Sequence, residues 1–301
     1  MSDTILVVGA AGRNGAAALR ALSRTGLSVR AATRNPEKID RGAEEIKNAH
    51  VEAVRFDWQH PEGYEAALLG VERLYLIAPE GLPGMPDLAH RFVEHAVAAG
   101  VRQFVVLSAM GVEHREDLPL RRVERSVMAL AQNWTILRPN WFMQNFTSGL
   151  FHPGIVGRDE IAAPAGDAAV SFIDVEDIAA VAAAVLADGA DGTRTVVLTG
   201  PVALTFAEVA RRLGDVAGRQ IRYRPLDPDD PDLLAKMGLP GRRPEPVRAL
   251  FHRVRAGLEA TVSPGVAATT GRPPGTFEEF AARNADAWRP VAPGGTGAAA
   301  R

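Results

Sequence analysis

The chain begins with a short aliphatic run, Thr4-Ile5-Leu6-Val7-Val8, that enters Gly9-Ala10-Ala11-Gly12-Arg13-Asn14-Gly15 and continues into a helix-forming stretch. No other feature constrains the fold as strongly. A continuous run of buried-type residues reads as a parallel strand. Glycines spaced G-x-x-G-x-x-G between a strand and a helix predict a dinucleotide-binding turn, although the same spacing also serves as a plain strand-to-helix turn. Gly9 permits the sharp turn off the strand, Gly12 lets the backbone approach a pyrophosphate, and Gly15 lets the helix pack closely on the sheet. The helix start, at Asn14, offers free N–H groups and partial positive charge to phosphates.

Strand and helix patterns then alternate. Strands are expected at Ser28 to Thr33, Val51 to Phe56, Arg73 to Ile77, Gln103 to Leu107 and Trp134 to Leu137. Helices are expected from Asn14 to Arg24, Pro36 to Lys47, Pro61 to Leu69, Asp87 to Ala99 and Leu120 to Ala131. Parallel strands need crossover connections, so the pattern predicts an α/β fold, a doubly wound parallel Rossmann sheet. After Arg138-Pro139 the rhythm changes. The expected organisation is a Rossmann domain over 1–139, to which a stretch near 170–200 returns. A small C-terminal α+β substrate lobe covers 140–285, and 286–301 forms a flexible tail. Thr205 with Glu208 forms a capping-box pattern.

Composition removes several function classes. The 34 basic and 36 acidic residues leave a net charge of -2, which gives no electrostatic case for nucleic acid or an anionic membrane. The absence of cysteine excludes disulfides, thiolate zinc sites and cysteine nucleophiles. There is no transmembrane run, and the strand starts too early for a signal peptide, so a bacterial cytoplasmic protein without a membrane partner is expected.

The end of the second strand bears on the choice of cofactor. NAD-binding folds usually place an acid there to hold the ribose hydroxyls. This chain has Thr33-Arg34 instead. A guanidinium pairs with a 2′-phosphate, which an acid would repel, so NADPH is expected. Arg13 adds a second charge, stacks on the adenine or is simply solvated. Asp57 meets the adenine edge or caps the next turn.

Taken together, several segments resemble the NmrA-like branch of the atypical short-chain dehydrogenase/reductases. They are the glycine loop, Arg34-Asn35-Pro36-Glu37-Lys38, Phe56-Asp57-Trp58, Leu74-Tyr75-Leu76-Ile77-Ala78-Pro79, Val105-Val106-Leu107-Ser108 and Trp134-Thr135-Ile136-Leu137-Arg138-Pro139. Trp141-Phe142-Met143-Gln144-Asn145-Phe146 and Phe172-Ile173-Asp174-Val175-Glu176-Asp177-Ile178-Ala179 complete the set. The resemblance implies a nicotinamide near Ala78, Pro79, Ser108 and the segment after Arg138-Pro139. It also implies kinship with NAD(P)H-dependent quinone or azo reductases and with festuclavine- and agroclavine-type reductases.

The superfamily's usual Tyr acid, followed four residues later by Lys, is missing. Tyr64, Tyr75 and Tyr223 lack such a Lys, and the only lysines are Lys38, Lys47 and Lys236. The stretch that matches the Lys-bearing helix of related reductases is Leu118-Pro119-Leu120-Arg121-Arg122-Val123-Glu124, and an Arg cannot replace that Lys as a proton donor. Ser108 and the loop histidine His114 are the remaining catalytic candidates. Trp141, Phe142, Met143, Phe146 and Phe151 are expected to line a substrate pocket or to pack the lobe. Leu226 to Leu258 is the candidate lid. The expected function is NADPH-dependent hydride transfer to a small, flat electrophile such as a quinone, enone or iminium. An NADP(H)-binding regulatory protein and a non-redox cyclase or hydratase are the rivals. Monomer and homodimer both stay open.

Overall fold

The computed structural model describes residues 4–41, 50–79, 81–189, 191–239 and 243–289. Among these described residues eleven strands follow in chain order: β1 (Thr4–Val8), β2 (Ser28–Thr33), β3 (Val51–Arg55), β4 (Val71–Ile77), β5 (Gln103–Leu107), β6 (Asn133–Pro139), β7 (Glu160–Ala163), β8 (Ala169–Val170), β9 (Thr193–Leu198), β10 (Leu204–Thr205) and β11 (Arg222–Pro225). The chain divides into two units. The first comprises Met1–Asn140, Val175–Leu198 and Ser263–Pro273; the second comprises Trp141–Asp174, Thr199–Val262 and Pro274–Arg301.

The first unit is a seven-stranded sheet in the order β3-β2-β1-β4-β5-β6-β9. All its neighbours are parallel. The order reverses between β1 and β4, and ligands bind at such a switch point, outside the carboxyl ends of the strands. Leu6, Val8, Leu74 and Leu76 share a core cluster with Phe92, Phe104, Val123 and Val127. Ile5, Val7 and Tyr75, which alternate with them, are also fully buried, as a sheet covered on both faces requires. Helices Met85–Ala98 and Pro119–Leu130 pack together, as do Arg13–Leu22 and Val175–Asp188.

Four strand ends differ from expectation: β3 stops at Arg55, β4 starts at Val71, and β6 runs from Asn133 to Pro139. The helix expected from Pro36 is present over Glu37–Arg41, and its continuation over 42–49 lies outside the described residues. The returning segment supplies both the helix Val175–Asp188 and β9. Ser263–Pro273 makes a second return to this unit, beyond the single return the sequence pattern predicts.

The second unit pairs β7 with β11 in parallel and β8 with β10 antiparallel. Its core is aromatic, built on Phe146, Phe151, Phe172, Phe206, Phe251, Phe277 and Trp288. The capping box at Thr205 forms with Glu208, and a second forms between Thr276 and Glu279. The flexible tail cannot begin at residue 286. Trp288 is fully buried, and its indole N–H donates to the Phe146 carbonyl at 2.7 Å. The segment expected as a lid contributes Leu233, Met237 and Phe251 to this core, with the Phe251 ring 5.3 Å from Trp141. Side chains that hold a core together are not free to swing, so the segment completes its unit.

Candidate cofactor and active site

The glycine turn carries the strain its spacing implies. Gly9 adopts φ +78°, a region costly for residues with a Cβ. A Cβ on Gly15 would collide with the Gly9 carbonyl and lie 2.7 Å from the Ala10 Cα. The helix therefore sits against the turn at a distance only glycine permits. Gly12 is the helix N-cap, with no side-chain cap and no acid in the first turn, so nothing charged competes with an incoming anion. The Asn14 Oδ1 is buried without a hydrogen-bond partner.

A cavity of about 640 Å³ opens at the carboxyl ends of β1, β2 and β4. Gly9, Ala11 and Gly12 form one wall, Ile77, Pro79 and Gly81 another, and Thr33, Arg34, Asn35 and Lys38 close the β2 end. Arg34 and Lys38 are both exposed, so two cations share one rim. Lys38 lies on the first turn of the helix Glu37–Arg41 that follows Arg34, a placement the sequence pattern did not single out. Asp57 lines the cavity and its Oδ1 also accepts from the Gln59 N–H at 3.1 Å, so it meets the cavity and ties the turn. Phe56 and Trp58 form the floor, braced by Tyr64 and Phe92 at centroid distances of 5.0–5.4 Å. Arg13, Asn14, Gly15, Ala78, Ser108 and Pro139 are not among the lining residues. Of these, Arg13 is exposed and Gly15 acts through packing.

Ser108 follows β5, whose Leu107 pairs with Ile77 of β4, so it stands beside the Ala78-Pro79 strand end. It does not meet His114. The His114 side chain is 73% exposed, with its Nε2 4.0 Å from Glu113. Ser108 instead joins a buried ion network centred on Glu124. The Glu124 carboxylate is fully buried and accepts from Ser108 Oγ at 2.5 Å, Arg121 Nη1 at 2.7 Å, and Arg138 Nε and Nη2 at 2.9 and 2.8 Å. Burial pushes its carboxyl up. The Arg138 guanidinium, the Ser108 hydroxyl and Arg121 outweigh that and hold it below the usual carboxylate range. An ionised carboxylate only accepts, so the Ser108 hydrogen is committed to Glu124. Of the two catalytic candidates, Ser108 is thus engaged within a buried network and His114 is exposed. Tyr75 offers no replacement, because its hydroxyl is buried, has no partner and is pushed up by desolvation.

The five expected substrate residues separate by burial. Met143, Phe146 and Phe151 are core, whereas Trp141 and Phe142 are half-buried. Among the described residues, no helix is long and apolar enough to cross a membrane.

Residues 1–248 match the NmrA-like family. The chain belongs to that family. Among its relatives, the (4-alkanoyl-5-oxo-2,5-dihydrofuran-3-yl)methyl phosphate reductase of Streptomyces griseus subsp. griseus is 35% identical over 295 residues. The match covers 95% of this chain and 99% of the relative. The fold is shared with the Citrobacter sp. triphenylmethane reductase complexed with NADP(H). That structure aligns with TM-score 0.78 and 22% identity, over 94% of this chain and 99% of the other. NmrA itself, a negative transcriptional regulator solved in complex with NADP, aligns with TM-score 0.71 and 17% identity, over 93% and 94%.

Proposed function

We propose that this NmrA-like protein is an NADPH-dependent reductase that passes hydride to a small, flat electrophile such as a quinone, enone or iminium. The observation that carries the reading is the cavity wall where Arg34 and Lys38 stand at the end of β2, in place of the acid an NAD site would carry. The reductase relative and the NADP(H)-bound neighbour support the same reading.

NADPH fits the residues present. The Gly15 cradle leaves no room for a side chain, and the uncapped helix start faces outward for the pyrophosphate. Arg34 and Lys38 hold the 2′-phosphate, and Asp57 with Trp58 bounds the adenine end. When bound, NADPH supplies two electrons and a hydrogen as hydride. The chain orients it and shields the acceptor, for which Trp141 and Phe142 are the proposed contacts.

NADPH is expected to bind more tightly than NADH by about 1–3 kcal/mol, the range for hydrogen bonds to charged groups. Arg34→Ala should remove most of that difference. Equal calorimetric affinities in the wild type would sink the cofactor assignment. Turnover is tested by stopped-flow absorbance of bound NADPH against quinones, enones and iminium ions. If no acceptor discharges it and protein side chains plug the nicotinamide site, the protein is a regulator. If none does and the site is open, it is a non-redox enzyme.

A further inference from the structure

At the opposite end of the main sheet from the glycine turn lies a second cavity, also of about 640 Å³, around the first residues of β4, β5 and β6. Arg73, Gln103 and Asn133 pair in register across these three strands and form one polar row, with neighbours roughly 4.8 Å apart. Arg73 donates to the Leu186 and Ala187 carbonyls at the end of the helix Val175–Asp188. Asn133 donates to Asp191 Oδ1 at 2.9 Å and accepts from the Gly192 N–H at 3.0 Å. Gln103 is satisfied at one end alone. Its Nε2 donates to the Val185 carbonyl at 3.0 Å, and because a carbonyl only accepts, that contact fixes which way the amide faces. The other end, Oε1, is buried and has no hydrogen-bond partner, in a residue only 6% exposed. Leaving a buried acceptor unpaired is costly. Gln103 lines the cavity, so the missing donor is one that an occupant of the cavity would bring.

The charge around the cavity favours a cationic donor. Asp191, another lining residue, brings a carboxylate whose hydrogen-bond partner is the neutral Asn133 amide. The helices Met85–Ala98, Pro119–Leu130 and Val175–Asp188 all end at the cavity, and each C-terminus carries partial negative charge. Pro119–Leu130 has no basic residue in its last turn. Of the two cations on the lining, Arg73 is placed against the end of Val175–Asp188, and Arg102 pairs with Glu72. An anion entering here would meet Gln103 Oε1 and the Asp191 carboxylate, both of which repel it. An ammonium group has three donors and no acceptor, which suits both. Val97, Val101 and Leu130 add an apolar wall for an alkyl chain. We propose that this cavity is a second ligand site, which binds a protonated alkylamine. The ammonium donates to Gln103 Oε1 and Asp191, and the chain lies on Val97, Val101 and Leu130. The cofactor cavity opens at the other ends of the strands, so the amine binds alongside NADP+ without competing with it.

The test is calorimetric titration of the full chain with hexylamine at neutral pH, beside hexanoate as an anion of the same length. Hexylamine should bind once per chain, with the same affinity in the absence of cofactor and at saturating NADP+, and hexanoate should bind far more weakly. Asp191→Asn keeps an oxygen for the Asn133 amide and removes the charge at an exposed position, so the fold is retained. It should weaken amine binding by about 10-fold or more, as expected for a lost charge-assisted hydrogen bond. Gln103→Leu, checked for folding by its melting curve, removes the buried acceptor and should weaken binding by about 10-fold. If Gln103→Leu does not fold, Asp191→Asn decides alone. Four results would each overturn the proposal: no binding of hexylamine, hexanoate binding as tightly as the amine, wild-type affinity in Asp191→Asn or in folded Gln103→Leu, or amine binding abolished by NADP+, which would put the amine in the cofactor cavity.

Discussion

Replacing Gly15 by alanine tests whether the turn is set by packing or merely by chain flexibility. The added Cβ would sit 2.7 Å from the Ala10 Cα and 2.8 Å from the Gly9 carbonyl carbon, and nearer still to that carbonyl oxygen. Carbon atoms pack at roughly 3.5–4.0 Å, so the helix Arg13–Leu22 must retreat by roughly 1 Å. The obstacle is backbone on both sides, which no rotamer change relieves. Overpacking of this kind costs about 1–3 kcal/mol. For a chain of this size that is roughly 2–12 °C in Tm. Gly12 provides the contrast, because its Cβ would lie 3.2 Å from the Gly9 oxygen, a distance a small local shift accommodates. Gly12→Ala should keep a near-native Tm yet bind NADPH about tenfold or more weaker, since the methyl stands where the backbone must approach the pyrophosphate. Differential scanning fluorimetry and calorimetry on the two variants separate these effects. A Gly15→Ala protein with wild-type Tm and wild-type NADPH affinity would refute the packing argument.

Two further outcomes concern stability. Glu124→Gln leaves Arg121 and Arg138 buried beside a neutral partner and should cost about 3–5 kcal/mol in urea unfolding at neutral pH. Because the folded protein holds Glu124 below its unfolded value, the unfolded chain takes up the proton first on acidification. The Glu124 contribution is therefore full above the ordinary carboxylate range and is lost as pH falls through the folded value, so the gap between wild type and Glu124→Gln should close in acid. A gap that widened there would contradict this. Trp288→Ala should cost about 3–5 kcal/mol, read from the urea midpoint at constant slope, since the ring is fully buried and its N–H is bonded. A surface-like loss of a few tenths would return Trp288 to the tail.

The first unit was legible because its signals are local. The turn at Gly9 to Gly15 and the strand Gln103–Leu107 each declare themselves within a few residues, as does the capping box at Thr205 in the second unit. Pairings that depend on distant partners were not legible. β7 and β11 are four residues each, bring together Glu160 and Arg222, and lie about sixty residues apart, so neither shows a hydrophobic period. Trp288 sits among Ala, Pro and Gly, and only its burial by Phe280 and Phe146 marks it as core. In the candidate site, Arg34 was readable from its place at a strand end. Glu124 was not, since a helix glutamate looks solvated until Arg138, from the next strand, is laid against it.

The last strand of the main sheet also bears on how the protein is made. β9 covers the free edge of β6, yet residues 140–192 must be synthesised before it emerges. At ordinary elongation rates this takes roughly 3–10 s, during which the backbone N–H and C=O groups along that side of β6 lack their partner strand. An uncovered, apolar parallel edge is a template for association with another nascent chain. Biogenesis, more than the finished fold, is where this topology is vulnerable. Slowed translation between Pro139 and Thr193 would prolong that exposure.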